Sequence, residues 1–210
     1  NNITFTALAD GSYSDCTVIV TNSGVASDNL SVSSFTIDTV SPSLSEVTAV
    51  STQTNDNTPD YTFNSNEAGT ISYGGSCSSS TTTASADNNT ITFNTLSDGT
   101  YTNCTITVKD NASNSSSSLS VSSFTIDTTA PTLSEVTAVT TPTSDNTSSY
   151  TFSSDEAGTI TYGGSCSSST TAATASNNTI TFNALADGTY TNCTITVTDN
   201  TSNSSSSLSV

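Results

Sequence analysis

The side chains of this 210-residue chain that could do chemistry are its carboxylates and its cysteines. There are 18 Asp and Glu residues, five Cys, a single basic residue (Lys109) and no His. Carboxylates supply oxygen ligands for hard cations, and cysteines pair as disulfides in oxidising compartments. A cysteine nucleophile needs a neighbouring base, and a thiolate metal site usually has His or a C-x-x-C spacing, which this sequence lacks. The chemistry expected is therefore structural.

The composition excludes several functional classes. A net charge of −17 with no Arg argues against nucleic-acid binding, because phosphates need cationic partners. No apolar run approaches the roughly 18–20 residues of a transmembrane helix, so we expect no membrane insertion of this segment. Glycoside hydrolysis by paired carboxylates usually also involves aromatic platforms and a deep cleft. The seven Tyr and seven Phe are better explained as core, and we expect no enzyme.

The acids and cysteines recur in register because the chain contains an internal repeat. Phe5, Phe93 and Phe182 are spaced by 88 or 89 residues, and residues 38–121 match residues 127–210 at 66 of 84 positions. We divide the chain into the second half of one unit, a complete unit and a near-complete unit: residues 1–37, 38–126 and 127–210.

Half a unit cannot bury its own core. We therefore expect the chain to be a window on a longer array, or else a short chain whose first half-unit is completed by another chain. A second division would begin units at residues 1 and 89. It places a Pro-containing linker inside a domain and leaves residues 178–210 without a unit.

Short runs of alternating apolar and polar residues predict strands rather than helices. In the middle unit the first strand, 44–50, has Val47 and Ala49 as its alternating residues, and a polar turn over 53–60 follows it. A parity shift between Val121 and Phe124 predicts a bulge or bend in the last strand. Regular short strands between turn signals indicate an all-β sandwich. The other predicted strands are 61–64, 70–74, a weak edge strand within 78–89, 90–96, 101–109 and 119–126.

Three recurring motifs carry a family resemblance across the whole chain. They are the Asp127–Pro131 segment, the Asp-Gly-Thr-Tyr turn of Asp98–Tyr101, and the strand end of Thr107–Asn111. Together they resemble the bacterial Ig-like tandem repeats of giant surface adhesins and biofilm proteins. The resemblance implies Ig-like β-sandwiches, an extracellular location and, frequently, calcium at domain junctions. Tyr101 at its turn resembles a tyrosine corner, with its hydroxyl bonded to backbone.

Each Ig-like unit would have one cysteine at the end of its third strand and one in its sixth. Facing positions on these strands can be neighbours in an Ig-like sheet, which predicts the pairs Cys77–Cys104 and Cys166–Cys193. Cys16 would then have no partner within the chain. The alternative division of the repeat would instead pair Cys16–Cys77 and Cys104–Cys166, leaving Cys193.

The Ig-like topology also places recurrent acids together at the poles of the units. Asp38, Glu67 and Asp110 should gather at the entry pole of the middle unit. Asp127, Glu156 and Asp199 should do so in the last unit, with Asp98 approaching from the preceding unit. We expect Ca²⁺ at these junctions, because it takes 6–8 oxygen ligands. Otherwise these are solvated loop acids and turn residues.

The function that these features favour is mechanical. We expect a disulfide-stapled rod that forms part of the stalk of an extracellular adhesin, with neighbouring repeats of the same chain as its main partners. A second interpretation is an extracellular filament or surface-layer component that self-associates laterally. A weaker third is a carbohydrate-binding module.

Overall fold

Residues 2–210 are described by a computed structural model, and they form strands, turns and loops with no helix. The all-β, Ig-like class predicted from the sequence is confirmed. Among the described residues, no helix has the length and apolar character needed to cross a membrane.

The first 37 residues form three small antiparallel pairs, β1 with β6, β2 with β5 and β3 with β4. A tight turn at Ser23-Gly24, both with positive φ, joins β3 to β4. The strands are β1 (Gly11–Tyr13), β2 (Thr17–Val18), β3 (Thr21–Asn22), β4 (Val25–Ala26), β5 (Leu30–Ser31) and β6 (Phe35–Ile37).

The middle unit contains three sheets, with strand orders β12-β9-β7, β11-β10-β14-β15 and β13-β16-β8. All neighbours are antiparallel except β16 and β8, which are parallel. The strands are β7 (Leu44–Thr48), β8 (Gln53–Thr54), β9 (Asp60–Ser65), β10 (Gly69–Gly74), β11 (Thr83–Ala84), β12 (Asn88–Thr92), β13 (Gly99–Tyr101), β14 (Thr105–Lys109), β15 (Leu119–Ser120) and β16 (Phe124–Ile126).

The last unit repeats the two larger sheets, with orders β17-β18-β21 and β20-β19-β22-β23. The register is also repeated, because Ile160 faces Val197 as Ile71 faces Val108. The strands are β17 (Leu133–Thr137), β18 (Ser149–Ser154), β19 (Gly158–Gly163), β20 (Ala172–Ala173), β21 (Asn177–Thr181), β22 (Thr194–Thr198) and β23 (Leu208–Ser209).

Each of these two units has a hydrophobic core of its own. In β9, Tyr61 and Phe63 are fully buried, and in β14 Ile106 and Val108 face them from the other layer. The period of two along a strand directs these residues to the inner face and their polar neighbours outward. One core cluster lies between Val50 and Ile126, and the residues of the other lie between Leu133 and Val210.

Two strands predicted as continuous are divided between sheets. The run 101–109 starts at the last residue of β13 and contains β14, and the run 119–126 contains β15 and β16. The chain crosses from one sheet to another at 102–104 and again at 121–123. This explains why Tyr101 and Cys104 both face the core region at a spacing of three, and it is the bend that the parity shift before Phe124 predicted.

The first strand and the following turn also differ from the prediction. Val47 is 48% exposed because the register of β7 on β9 shifts between Glu46 and Thr48, so that one residue is left without a paired position. Instead, Val50 belongs to the core and the partly buried Leu44 packs against it. Gln53–Thr54, predicted as turn, forms a short strand on β16.

The tyrosine corner is present in all three units. The Tyr101 hydroxyl donates to the Ser97 carbonyl at 2.9 Å, four residues upstream. Tyr13 and Tyr190 make the same contact with Ala9 and Ala186. This hydrogen bond fixes the Asp-Gly turn before β13 and therefore the position of Asp98 at the pole.

Candidate metal sites and linker contacts at the unit junctions

The cysteines of the two larger units form disulfides. Cys77 is bonded to Cys104 and Cys166 to Cys193, with Cα–Cα distances of 5.2 and 5.3 Å. These are the pairs that the Ig-like strand positions predicted. Among the described residues Cys16 is a free, half-buried cysteine.

The turn before Cys77 explains how the two cysteines come together. Gly75 has φ +75°, and a Cβ atom there would overlap the backbone carbonyl of Asn103. Glycine lets the two chain segments approach, and the Ser76 amide then donates to the Asn103 side chain at 3.2 Å. The neighbours of these residues, Cys77 and Cys104, are thereby held within bonding distance.

Two groups of three carboxylates lie at equivalent poles of the two units. Asp38, Glu67 and Asp110 form the first triad, and Asp127, Glu156 and Asp199 form the second. In each triad, one oxygen from each residue lies within 4.8 Å of the others. Three elements supply the members of a triad. They are the linker, the turn after β9 or β18, and the residue that follows β14 or β22.

The loop after β14 orients two members of the first triad. The Asn114 side-chain amide donates to an Asp110 carboxylate oxygen at 2.9 Å and to the Asp38 backbone carbonyl at 3.1 Å. The Asn114 backbone amide donates to the other Asp110 oxygen at 2.8 Å. Ser113 takes a positive φ of 80° within this loop. Asn114 therefore ties the linker to the loop.

The second triad has the same arrangement, with additional contacts from Thr201. The Asn203 side chain donates to the Asp127 carbonyl and to Asp199, both at 2.9 Å. The Thr201 hydroxyl donates to Asp199 at 2.9 Å and lies 3.3 Å from an Asp127 carboxylate oxygen. Hydrogen bonds within the protein thus orient the carboxylates of Asp127 and Asp199.

The charges within a triad act differently on its members. Desolvation raises the pKa of Glu67, and the nearby charges of Asp38 and Asp110 raise it further. Burial alone would also raise the pKa of Asp110, but hydrogen bonds from Asn114 and the loop backbone outweigh it and lower the pKa below its usual range. Asp110 therefore stays ionised to lower pH than Glu67 does.

The second triad shows the same division. Desolvation raises the pKa of Glu156, with further contributions from the charges of Asp127 and Asp199. At Asp199 burial acts in the same direction, but hydrogen bonds from Asn203 and Thr201 outweigh it and lower the pKa. In each triad, hydrogen bonds thus favour the ionised form of the Asp at the end of the strand, whereas the neighbouring charges favour protonation of the Glu.

Asp98, predicted as a ligand approaching from the preceding unit, is not brought into the triad. One of its carboxylate oxygens accepts from the amide and hydroxyl of Thr128, at 3.0 and 2.8 Å. The other accepts from the Thr129 hydroxyl at 2.7 Å. These hydrogen bonds lower the pKa of Asp98. Asp98 therefore binds the linker itself.

The equivalent contact exists one unit earlier. The Thr39 hydroxyl donates to both carboxylate oxygens of Asp10, at 3.0 and 3.1 Å. Each linker is therefore held on one side by an Asp of the preceding Asp-Gly turn, and on the other by the Asn of the following unit.

The sequence analysis missed Asn114 and Asn203. The signal for them is the recurrence of Asn four residues after Asp in Asp110–Asn114 and Asp199–Asn203. In a chain with 89 Ser and Thr residues and many Asn, such a recurrence does not stand out. Only the fold shows that this side chain reaches back to the linker.

Comparison with known proteins identifies the middle unit. Residues 42–128 match the family described as the bacterial Ig-like domain. No curated protein and no solved structure matches the chain. The matched range runs from Pro42 to Thr128, and the last unit shares the fold of the middle one through its repeated sheets and disulfide.

Proposed function

We propose that this chain, whose residues 42–128 are a bacterial Ig-like domain, is a non-catalytic, load-bearing segment of an extracellular tandem-repeat protein. Its role is that of a disulfide-stapled rod that spaces an adhesive part of the protein from the cell surface. The observation that carries this proposal is the linker at Asp127–Thr129, which is hydrogen-bonded both to the unit before it and to the unit after it.

A spacer needs units that resist unfolding and linkers that resist bending. Each complete core is small, and a disulfide closing a loop of about 28 residues stabilises such a fold by roughly 3–4 kcal/mol in the chain-entropy treatment. Disulfides persist in oxidising compartments, which supports a location outside the cytoplasm. Asp98 and Asn203 both form hydrogen bonds with the same linker, and these bonds would make it resist bending.

We further propose that the triads bind Ca²⁺. Three carboxylates and nearby backbone carbonyls form a hard-oxygen donor set that suits this ion. The only basic side chain in the chain is Lys109, and Thr198 stands at its position beside Asp199. Asp199 of the second triad therefore has no basic residue next to it in the sequence to balance its charge. A bound cation would stabilise the linker where it enters the unit.

The experiment for the rod is small-angle X-ray scattering of the full chain carrying Cys16→Ser, recorded with Ca²⁺ and with EDTA. The expected maximum dimension in Ca²⁺ is that of two complete units end to end plus the half-unit. A compact particle with its units side by side contradicts the proposal. Electron microscopy of the same sample separates the second interpretation, because fibres or sheets indicate a self-assembling filament.

A further inference from the structure

Residues 2–37 expose an apolar face whose counterpart is buried in the complete units. Phe5 is 48% exposed whereas the equivalent Phe93 is 1% exposed, and Val20 is 66% exposed whereas Val108 is fully buried. Ile3, at the position of Ile91, follows the same pattern. The residues at these positions are of the same type in the half-unit and in the middle unit. The difference in their exposure therefore arises from what covers the face.

The half-unit already has the strand register of a complete unit. Tyr13 pairs with Phe35 as Tyr101 pairs with Phe124. Val18 pairs with Leu30 as Ile106 pairs with Leu119. The half-unit is therefore preformed as the part of the sandwich that corresponds to 93–126.

The contacts that cover this face in the middle unit come from the first half of that unit. In the middle unit β10 pairs with β14 on the side opposite β15, and β9 pairs with β12. Residues 2–9, which include the counterpart of most of β12, form no strand, although they contain the same Ile-Thr-Phe run. The edge of β2 that would face a β10-type strand has no partner strand among the described residues.

Cys16 gives an independent indication of the same occupant. It stands at the position of Cys104, whose partner Cys77 follows β10. Cys16 is free, and the other four cysteines of the chain are paired. In the middle unit, the apolar face, the strand edge and the cysteine at these positions are all covered or bonded by residues 38–88.

We propose that this face binds a first-half repeat segment with the pattern of residues 38–88. The segment supplies strands equivalent to β7–β11 and a cysteine at the position of Cys77.

The covalent step is the formation of one disulfide. The Cys16 thiol and the incoming thiol each lose a proton, an S–S bond forms, and two electrons pass to a disulfide oxidant such as oxidised glutathione, which is reduced to two thiols. Docking of the strand places the two sulfurs together, as Gly75 does in the middle unit.

The test compares the full chain with a chain in which a copy of residues 38–88 is joined ahead of residue 1, both refolded in a glutathione redox buffer. We expect one titratable thiol in the full chain and none in the extended chain. Peptide mapping without reduction, with chymotrypsin because the chain has one Lys and no Arg, should link Cys16 to the added cysteine. Amide exchange of residues 3–20 should slow by about tenfold or more.

Two variants of the extended chain separate docking from the disulfide. With the added cysteine replaced by Ser, residues 3–20 should remain protected because the face is still covered. Val20→Asp should abolish that protection, because its counterpart Val108 is fully buried. Val25→Asp is the matched control, since Val25 lies at the exposed tip of the β3–β4 pair and should leave exchange unchanged.

Three results would overturn the proposal. One is a free Cys16 with unchanged amide exchange in the extended chain. Another is equal protection in the Val20→Asp and control variants. The third is a dimer of the unextended chain in which the same face is protected or Cys16 is bonded to Cys16, which would assign the face to a second copy.

Discussion

The carboxylate of Asp98 accepts a 2.7 Å hydrogen bond from the hydroxyl of Thr129, a residue of the linker to the next unit. Asp98 had been expected beside Glu156 and Asp199 as a metal ligand. The structure assigns it a different task at the same junction, because both of its oxygens are occupied by the linker residues Thr128 and Thr129. The linker is thus held from one side by side-chain hydrogen bonds and from the other by the triad and its asparagine.

Replacing Asp98 by Ala should loosen this junction without unfolding the unit. The side chain is exposed and its hydrogen bonds are with the linker residues Thr128 and Thr129, so we expect the core to be unaffected. We expect a broader distance distribution between spin labels on the middle and last units, measured by pulsed electron spin resonance. Asp187→Ala, at the equivalent turn of the last unit, is the control and should leave this distribution unchanged. Identical distributions in both variants would remove Asp98 from the description of the junction.

Calcium binding should depend on the triad members and not on every neighbouring acid. Calorimetric titration should find two sites per chain, and Asp199→Ala should remove one. Asp155→Asn is the matched control, because Asp155 lies next to Glu156 but accepts a 2.6 Å hydrogen bond from the Thr132 amide and is not in the triad. The absence of binding heat, together with a melting temperature unaffected by EDTA, would leave the triads as solvated acids.

The pH dependence follows from the raised pKa of Glu156. In the ion-free protein a carboxyl with a raised folded-state pKa favours the fold while it is protonated, at low pH. This contribution is lost as the pH rises through the folded-state pKa. A cation reverses the balance, because it requires the ionised form. Calcium affinity should therefore decrease as the pH falls toward the raised pKa of Glu156, and Glu156→Gln should bind more weakly and with less pH dependence at this site. An affinity independent of pH would contradict the assignment of Glu156 as a ligand.

The same residue type should have different energetic weight in the half-unit and in the complete unit. Phe93→Ala removes a side chain that is 1% exposed, and should destabilise the middle unit by about 3–5 kcal/mol. Phe5→Ala removes one that is 48% exposed, and should cost less than about 1 kcal/mol. Chemical denaturation of both variants, followed by tyrosine fluorescence, checks this. Equal costs would show that residues 2–37 are packed more fully in solution than in the structure.

The disulfides should shorten the chain length released under force. The 27-residue separation of Cys77 and Cys104 locks roughly 85–90 Å of extended chain. In single-molecule pulling, the unfolding step of the middle unit should lengthen by that amount in the Cys77→Ser/Cys104→Ser variant. The step of the last unit, with its own disulfide intact, serves as the internal reference. An unchanged step length would mean that this disulfide does not form in the folded protein.

Much of the fold could be predicted from local pattern. Alternation predicted strands at the positions of β9, β12 and β14, because a half-buried strand must alternate whatever its neighbours are. The crossings at 102–104 and 121–123 could not be predicted in the same way. An isolated parity shift shows that the chain bends, but which sheet receives each half depends on strands far away in sequence, such as β8.

For the candidate sites, too, the sequence determined one part and the tertiary structure another. The repeat by itself determined that Asp38, Glu67 and Asp110 occupy equivalent positions to Asp127, Glu156 and Asp199, because register is a property of the sequence. Only the tertiary structure decided that these acids lie within 4.8 Å of one another and that Asp98 does not join them. Hydrogen bonds of about 3 Å to Thr128 and Thr129 depend on where the turn and the linker lie in space, and residue spacing carries no such distances.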